Sequence, residues 1–308
     1  MGAGSFRFIV WGMKLRAFAA AAVAMTALSL SASPFATAQS SDAASASSHL
    51  SSMLPELLPA PTGHTTTTRT LASGREFLLS VPHNYNPATA YPVVLVFGGW
   101  QHTAGGTRDY AQVEQVARDA IVVYAQGVNN AWAGAPYAQT SLFDDISYTR
   151  EVVDNVAASH TVDRQQVYAT GLSNGGGMAL ALGCHAPDLV AGVAGVAGAY
   201  YNPTVSNCAA GVVPTMIIHG TADDVVAYEG GVRHGAPYLS VDQVTTTMGR
   251  KNQCVLPNTR VTETGDTTVF ELEKCKAGTR VVRVNGGGHT WFISPSATQL
   301  SVDFFRAQ

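Results

Sequence analysis

One serine, one aspartate and one histidine of this 308-residue chain lie where nucleophilic catalysis would need them. Ser173 is the third residue of Gly-Leu-Ser-Asn-Gly, residues 171–175, between a predicted strand and a glycine-rich helix start. A strand, a tight turn and a helix with serine at the turn form a nucleophile elbow, which lifts the hydroxyl toward a helix N-terminus. The pentapeptide alone is a weak motif, because a glycine-rich turn can also carry a bystander serine.

A serine hydroxyl is a weak nucleophile, so it needs a base that is itself oriented by an acid. Asp223 follows the apolar segment 215–218, and His289 follows the segment 281–284 and three glycines. The order Ser, acid, His is the one that accompanies a nucleophile elbow. We therefore predict a triad of Ser173, His289 and Asp223. Asp224 competes for the acid role.

Of the nine histidines in the chain, only His289 follows a glycine-rich loop after the last predicted strands, and His219 also lies near the end of a predicted strand. His219 precedes the acid, so we expect it to brace the acid loop rather than to act as the base.

Acyl transfer also needs backbone N–H groups that bind the oxyanion. One donor should be Asn174, which follows the serine. The second should come from the loop after strand 91–97, and we assign it to Gly99 with Trp100 as the alternative. Glycine lets a substrate carbonyl approach the backbone closely.

The predicted elements place these residues at the ends of buried strands. Runs rich in Val and Ile, such as 91–97 and 121–125, indicate strands that are buried on both faces. They alternate with helical patterns, which predicts an α/β fold with a mostly parallel central sheet and helices on both faces. We predict one domain over residues 67–308 with little or no lid. Further predicted strands are 67–70, 75–81, 166–172, 189–196, 215–219, 270–274 and 280–284, and the predicted helices are 109–120, 144–160, 175–184 and 241–251, with Asp144 or Asp145 as the N-cap of the second.

The amino terminus has the pattern of an export signal. A basic start at residues 13–16 precedes a 14-residue apolar run, and small residues follow up to Ala38. The run is shorter than the roughly 20 residues of a bilayer span, so an uncleaved anchor is the weaker hypothesis. We predict a signal peptide over residues 1–38 and a flexible Ser/Ala/Thr-rich leader over 39–66.

The composition excludes several classes of protein. Hydrophobic residues make up 46% of the chain and charged residues 13%, but no second run is long enough for a polytopic membrane protein. Cleavage after Ala38 removes three basic residues and no acid, which leaves 15 basic and 21 acidic residues and a net charge of −6. A nucleic-acid partner has no electrostatic support. We expect a secreted or cell-envelope protein that is a monomer.

All four cysteines lie in the predicted exported part, where disulfides are the default state. Four cysteines allow three pairings. We favour Cys184 with Cys208 and Cys254 with Cys275, because both pairs close short loops. No Cys-x-x-Cys or His-x-x-x-His spacing is present, so we predict neither a metal site nor a cofactor.

Taken together, three segments resemble the secreted polyhydroxybutyrate depolymerases and feruloyl esterases of the α/β-hydrolase superfamily. GLSNGG at 171–176 is similar to the nucleophile motif of that family, HGTADDVVAYEGG at 219–231 to its acid loop, and GGGHTW at 286–291 to its histidine motif. FDDISY at 143–148 also resembles a segment of that family ahead of the nucleophile strand. The resemblance covers roughly residues 69–293 and implies an esterase.

The resemblance also assigns individual residues. It places the acid on Asp223 rather than Asp224 and the base on His289. One departure is the pair Phe97-Gly98, where the family usually has His-Gly. A backbone donor survives a side-chain change, so we expect catalysis to survive as well.

Three tryptophans of the exported part follow predicted strand ends, and Tyr228 follows the acid. We predict that Trp100, Trp132, Trp291 and Tyr228 line the substrate cleft and that exposed apolar surface concentrates at the tryptophans. Such a cleft suits aryl, apolar or polymeric esters. The simpler alternative is that the tryptophans wall the loops without touching substrate.

We therefore predict an exported serine carboxylesterase that acts on small or polymeric esters. An acyltransferase would share the triad and pass the acyl group to an alcohol. A non-catalytic binding protein on the same fold is disfavoured by the complete triad, and a peptidase by the lack of a second domain.

Overall fold

The structure, a computed structural model, describes residues 63–308. The predicted signal peptide and the predicted leader as far as residue 62 lie outside the described residues. The first strand begins at His64. Residues 64–66, predicted to end the leader, therefore belong to the folded domain.

Strands and helices alternate along most of the described chain, as the sequence predicts. The strands are β1 (His64–Thr70), β2 (Glu76–Pro82), β3 (Tyr91–Phe97), β4 (Ile121–Ala125), β5 (Val162–Leu172), β6 (Gly192–Val196), β7 (Thr215–Gly220), β8 (Gly231–Arg233), β9 (Ala236–Tyr238), β10 (Thr259–Thr264), β11 (Thr267–Leu272) and β12 (Thr279–Val284). The helices are α1 (Ala104–Ala111), α2 (Leu142–Ser159), α3 (Asn174–His185), α4 (Val241–Lys251) and α5 (Ala297–Arg306), with a 3-10 turn at Val113–Gln115.

Ten strands form one sheet in the order β1-β2-β4-β3-β5-β6-β7-β12-β11-β10. The six central strands, from β4 to β12, are parallel. The two strands at each edge pair antiparallel. The prediction of a mostly parallel central sheet is confirmed.

The central strands are buried on both faces, because each alternates its side chains between two cores. In β3, Val93, Leu95 and Phe97 enter the core that also contains residues of α2, α3 and α4. Val94 and Val96 enter the opposite core, which contains residues of α1 and α5. A continuous apolar run therefore belongs here, and few charges are needed.

Two predicted helix boundaries are wrong. Residues 109–120 were predicted as one helix, but α1 ends at Ala111 because Gln112 adopts a left-handed conformation with φ 42°. The helix begins instead after Thr103, whose side chain accepts the Gly106 N–H. The N-cap of α2 is Ser141, which forms a capping box with Asp144.

The strand order reverses its direction of growth between β3 and β5. From β3 the chain crosses through α1 to β4 on one side, and then returns through α2 to β5 on the other. The loops that leave the carboxyl ends of β3 and β5 diverge there and open a crevice. Gly98 follows β3 and Ser173 follows β5, so both lie at this crevice.

Three strands were not predicted from the sequence. β8 and β9 form a separate two-stranded hairpin between β7 and α4. β10 pairs with β11 at the edge of the sheet, and every residue of β10 is exposed. A short or fully exposed strand has no buried face and leaves no alternating apolar pattern.

Both disulfides have the favoured pairing. Cys184, at the carboxyl end of α3, bonds to Cys208, and Cys254, beyond α4, bonds to Cys275. The loops that they close span 24 and 21 residues. Each bridge is expected to stabilise the fold by about 3 kcal/mol, chiefly by restricting the unfolded chain.

Candidate active site

Ser173 occupies a strained turn between β5 and α3. Its backbone has φ 55° and ψ −118°, a region that side-chain-bearing residues seldom adopt. The Ser173 N–H donates to the Val196 carbonyl at 2.9 Å, and the Ser173 carbonyl accepts the Ala199 N–H at 2.9 Å. The end of β6 therefore holds the turn in place.

The two glycines of the pentapeptide are required by close backbone contact. A Cβ at Gly171 would lie 2.4 Å from the Gly175 carbonyl oxygen, and a Cβ at Gly175 would lie 2.1 Å from the Phe97 carbonyl oxygen. Real Cβ atoms do not approach so closely. The pattern G-x-S-x-G therefore reflects the tight packing of the elbow against β3.

The strain at Ser173 predicts an unusual order of stability between two variants. An unfavourable φ/ψ pair costs about 1–3 kcal/mol in a residue with a Cβ, and glycine escapes it. Glycine also gives the unfolded chain about 0.5–1 kcal/mol more entropy to lose. We therefore expect the free energy of unfolding of Ser173→Gly, measured in urea, to exceed that of Ser173→Ala by about 1 kcal/mol.

The same pair of substitutions at an ordinary helical position provides the control. At Thr246, inside α4, glycine should be less stable than alanine. Equal or lower stability of Ser173→Gly relative to Ser173→Ala would show that the elbow stores no strain.

Asp223 and His289 form a hydrogen-bonded pair. The His289 Nδ1 lies 2.8 Å from Asp223 Oδ2. The other carboxylate oxygen, Oδ1, accepts the N–H groups of Val225 at 3.0 Å and Val226 at 2.8 Å. Both oxygens of Asp223 are thereby engaged, and Asp223 is 5% exposed.

His219 also contacts the acid. Its Nε2 lies 2.8 Å from the Val226 carbonyl oxygen and 3.2 Å from Asp223 Oδ2. Both of these partners are acceptors, so we assign the ring proton to Nε2. His219 thus braces the loop that carries Asp223, as expected for a histidine that precedes the acid.

The contacts of Asp223 favour its charged form. Burial alone would raise the pKa of the carboxyl group, but the hydrogen bonds from His219, His289 and the Val226 N–H outweigh it. The pKa of Asp223 is therefore held well below its usual range. A permanent negative charge at this position keeps a proton on the Nδ1 of His289.

The two predicted oxyanion donors lie beside the serine. Asn174 begins α3, so no helix carbonyl is available to its N–H. A Cβ built on Gly99 would lie 3.4 Å from the Ser173 Cβ, which places the loop after β3 against Ser173. Their function as oxyanion donors stays a prediction.

Trp132 lies in the interior rather than at the cleft and is 2% exposed. Its Nε1 donates to the Gly98 carbonyl at 3.0 Å, and its backbone exchanges hydrogen bonds of 2.7 and 3.0 Å with the Asn174 side chain. Phe97 packs edge-on against the indole at 4.9 Å between ring centroids. Trp132 therefore joins the loop after β3 to the start of α3.

This contact predicts a positioning role for Trp132. Phenylalanine at this position cannot donate to the Gly98 carbonyl, so the loop after β3 should shift relative to Ser173. We expect Trp132→Phe to lower kcat about tenfold with little change in KM, and the free energy of unfolding by about 1–2 kcal/mol. Steady-state kinetics and urea unfolding measure the two effects.

Tyr148→Phe is the matched control, because it also removes the polar group of a buried aromatic side chain: the Tyr148 hydroxyl donates to the Glu76 carbonyl and accepts the Gln126 N–H. It should reduce stability and leave kcat near the wild-type value. If Trp132→Phe also kept its kcat, the indole would be only a structural residue.

A cavity of about 420 Å³ opens at Ser173. Ser173, His289 and Gly99 line it, together with Trp100 and Trp291. The remaining side chains and backbone of its wall come from His102, Tyr110, Tyr137, Leu172, Ala199, Tyr201, Val225, Val226, Arg233, His234 and Thr290.

Two of the four predicted substrate contacts do not lie on this wall. Trp132 is buried as described, and Tyr228 packs edge-on against His219 at 5.9 Å and is 8% exposed. The expected concentration of exposed apolar surface at the tryptophans is also wrong, since only Trp100 is appreciably exposed, whereas Phe143 and Ile293 are far more so.

Several residues of the wall were not predicted. His102 lies in the loop after β3 and Tyr110 lies in α1, and their ring centroids are 5.3 Å apart. Burial raises the pKa of Tyr110 to about 12. Burial, together with the nearby imidazole of His289, lowers the pKa of His102. Arg233 and His234 come from the β8–β9 hairpin, for which the sequence has no catalytic motif.

Within residues 63–308, no group of three or more His, Cys, Asp or Glu side chains is arranged to hold a metal ion. In the same range, no helix is long and apolar enough to cross a membrane.

A serine elbow at the switch point of this sheet, beside a His–Asp pair, defines an α/β-hydrolase. Residues 68–291 match the protein family described as "Putative esterase". The chain belongs to this esterase family. It spans between 42% and 78% of the length of the first curated relatives that it matches.

Similar proteins support the same class. Putative esterase NocK of Nocardia uniformis is 30% identical over 65% of this chain and 65% of its own length. Feruloyl esterase D of Neurospora crassa is 29% identical over 74% of this chain and 78% of its own length. The resemblance to feruloyl esterases is confirmed, whereas the resemblance to depolymerases stays a prediction.

Solved structures share the fold. An acetyl xylan esterase from Aspergillus awamori superposes with a TM-score of 0.61 at 13% identity, over 79% of this chain and all of that one. A ferulic acid esterase from Anaeromyces mucronatus superposes with a TM-score of 0.53 at 15% identity, over 79% of this chain and 89% of that one. At these identities the likeness shows the α/β-hydrolase fold alone.

Proposed function

We propose that the protein hydrolyses carboxylic esters through Ser173, His289 and Asp223. The observation that carries the proposal is the shared cavity: Ser173, on its strained turn, and His289, bonded to Asp223, line the same wall. With its Nδ1 proton directed to Asp223, His289 has a free lone pair at Nε2, which is the form a general base requires.

In the first half of the reaction, Ser173 Oγ bonds to the ester carbonyl carbon and its proton passes to His289 Nε2. The carbonyl electrons move to the oxygen, which the N–H groups of Gly99 and Asn174 stabilise. The C–O bond to the alcohol then breaks, and the alcohol leaves with the proton of His289. Water attacks the acyl-enzyme by the same steps and releases the acid.

The wall of the cavity favours an ester with an aromatic group. Trp100 and Tyr137 stack with their ring centroids 4.3 Å apart, and Trp291 lines the same cavity two residues after His289. Aromatic rings offer large, rigid faces to a planar substrate. Together with the similarity to feruloyl esterases, this supports hydroxycinnamoyl or other aryl esters as substrates.

We also propose that the protein is exported. Both disulfides of the described residues fit an oxidising compartment. The pattern of a basic start, an apolar run and small residues before residue 39 supports the same conclusion. Amino-terminal sequencing of protein from the culture medium or envelope should find a chain that starts near residue 39.

A substrate panel tests the proposed activity. Purified protein is incubated with methyl ferulate, 4-nitrophenyl acetate, an acetylated xylan and a polyhydroxybutyrate film, and the released acid is measured. We expect turnover of at least the aryl esters. Added alcohol distinguishes hydrolysis from acyl transfer, because a transferase would form a new ester. Failure to release acid from any substrate would contradict the proposed hydrolase.

A further inference from the structure

The β8–β9 hairpin is rigidly built over the cavity. Its turn residues, His234 and Gly235, both have positive φ, 53° and 76°, as a tight two-residue hairpin turn requires. His234 packs edge-on against Trp100 and Tyr137, at 5.0 Å from each ring centroid. The aromatic pair of the cleft therefore holds the tip of the hairpin.

A second contact fixes the backbone at Arg233. The Tyr201 hydroxyl donates to the Arg233 carbonyl at 3.5 Å, and Tyr201 forms a β-bridge with Tyr238 of β9. Tyr201 also lines the cavity. The backbone at Arg233 is thus held by Tyr201 on one side and by the aromatic contacts of His234 on the other.

Among the described residues, the cavity wall contains one arginine, Arg233, and no lysine, aspartate or glutamate. The three histidines of the wall add no charge in their neutral form, and Asp223 lies behind His289 rather than on the wall. Among the salt bridges of residues 63–308, none involves Arg233, so no carboxylate of the described chain lies within 4.0 Å of its guanidinium. The chain as a whole is acidic, with a net charge of −3, so a basic cavity is not a consequence of composition.

We propose that Arg233 is a specificity-determining residue that binds a carboxylate on the substrate, so that the preferred ester is anionic. The proposal rests on the proposed esterase function. A guanidinium offers two parallel N–H groups that match the two oxygens of a carboxylate. Its partial burial in a rigid hairpin reduces the entropy lost on binding. The carboxylate belongs to the acyl part or to the alcohol part of the ester.

Matched pairs of esters test the proposal. The acyl-side pair is mono-4-nitrophenyl adipate and its methyl ester, and the alcohol-side pair is 4-acetoxybenzoate and its methyl ester. Within each pair, the methyl ester lacks the negative charge of the carboxylate and adds one methyl group. The readout is the ratio of kcat/KM for the anionic ester to kcat/KM for the neutral one, at low ionic strength.

For at least one pair, we expect Arg233→Gln to lower this ratio about tenfold, as the loss of one charge-assisted hydrogen-bonded contact implies. Arg233→Lys should restore part of the ratio, and 0.5 M NaCl should reduce the wild-type ratio. Arg118→Gln is the matched control. Arg118 is exposed and precedes β4, so it lies at the amino ends of the parallel strands, whereas the cavity lies at their carboxyl ends. Its removal should therefore leave both ratios unchanged.

The outcomes separate this inference from the proposed function. Hydrolysis of the esters with ratios that Arg233→Gln does not change would overturn the role of Arg233 alone. A drop of the same size in Arg118→Gln would also overturn it, because the effect would then come from net charge. No hydrolysis of any ester by the wild type would overturn the esterase function and this inference with it.

Discussion

Replacing Ser173 with alanine is expected to lower kcat by about 10⁶-fold on any ester that the wild type hydrolyses. Alanine has no nucleophilic oxygen, so the acyl-enzyme cannot form. Water in the place of the hydroxyl would be neither bonded to the chain nor held at the elbow. The residual rate reflects only the oxyanion donors and the binding of the substrate.

Two measurements make this prediction specific to Ser173. A fluorophosphonate probe should label the wild type stoichiometrically at Ser173, as peptide mass spectrometry can establish, and should not label Ser173→Ala. Ser159→Ala is the matched control, because Ser159 is an exposed serine at the end of α2. It lies near the amino end of β5, whereas the cavity lies at the carboxyl end. Labelling of Ser173→Ala at full stoichiometry would place the nucleophile elsewhere.

The central strands, and the meeting of Ser173 with the His289–Asp223 pair, could be predicted because both depend on short segments. A strand that is buried on both faces, such as β3, is apolar at nearly every position, so it leaves a continuous apolar run in the sequence. The elbow requires glycine at 171 and 175 because β3 approaches within atomic contact. In these places a local sequence pattern and a tertiary constraint coincide.

The wall of the cavity could not be predicted, because it is assembled from distant segments. Arg233 and His234 meet Trp100 and Tyr137 only after the hairpin has folded back over the crevice. A short two-stranded hairpin with exposed residues carries no periodic pattern, and its arginine resembles any surface charge. The one local clue is the His-Gly pair at 234–235, which suits a hairpin turn.

Trp132 shows why a residue that follows a strand can be wrongly assigned to the substrate cleft. Sequence places it near the cleft, and it does lie one hydrogen bond from Gly98 and Asn174. Its ring, however, points into the core beside Phe97. The presence of Phe97 where the family usually has histidine is thereby explained in physical terms, because a fully buried aromatic ring packs against the indole that holds the loop.

Asp223→Asn is expected to lower kcat by about 10⁴-fold while the protein stays folded. Asparagine has nearly the same shape, but only one of its two terminal atoms is an acceptor. The Val225 and Val226 N–H groups both donate to Oδ1, so the amide oxygen must occupy that position. The amide NH₂ then faces the histidines in the place of Oδ2.

Two consequences follow for His289. Its Nδ1 now meets a donor instead of an acceptor, which favours the tautomer that carries the proton on Nε2. The lone pair that should accept the Ser173 proton is then turned toward the amide hydrogens of the introduced asparagine, and the charge that would stabilise the imidazolium is gone. The loss should appear in kcat, whereas KM should change little, because Asp223 does not line the cavity.

The neighbouring Asp224 provides the control that separates a triad from general acidity of the loop. Asp224→Asn removes the same charge one residue away, from an exposed side chain. It should leave kcat within about twofold of the wild type, since a screened surface charge contributes little. If the two variants lost activity equally, the loop would act through its total charge. If only Asp224→Asn lost it, the acid of the triad would be Asp224, and the bond from His289 to Asp223 would serve structure alone.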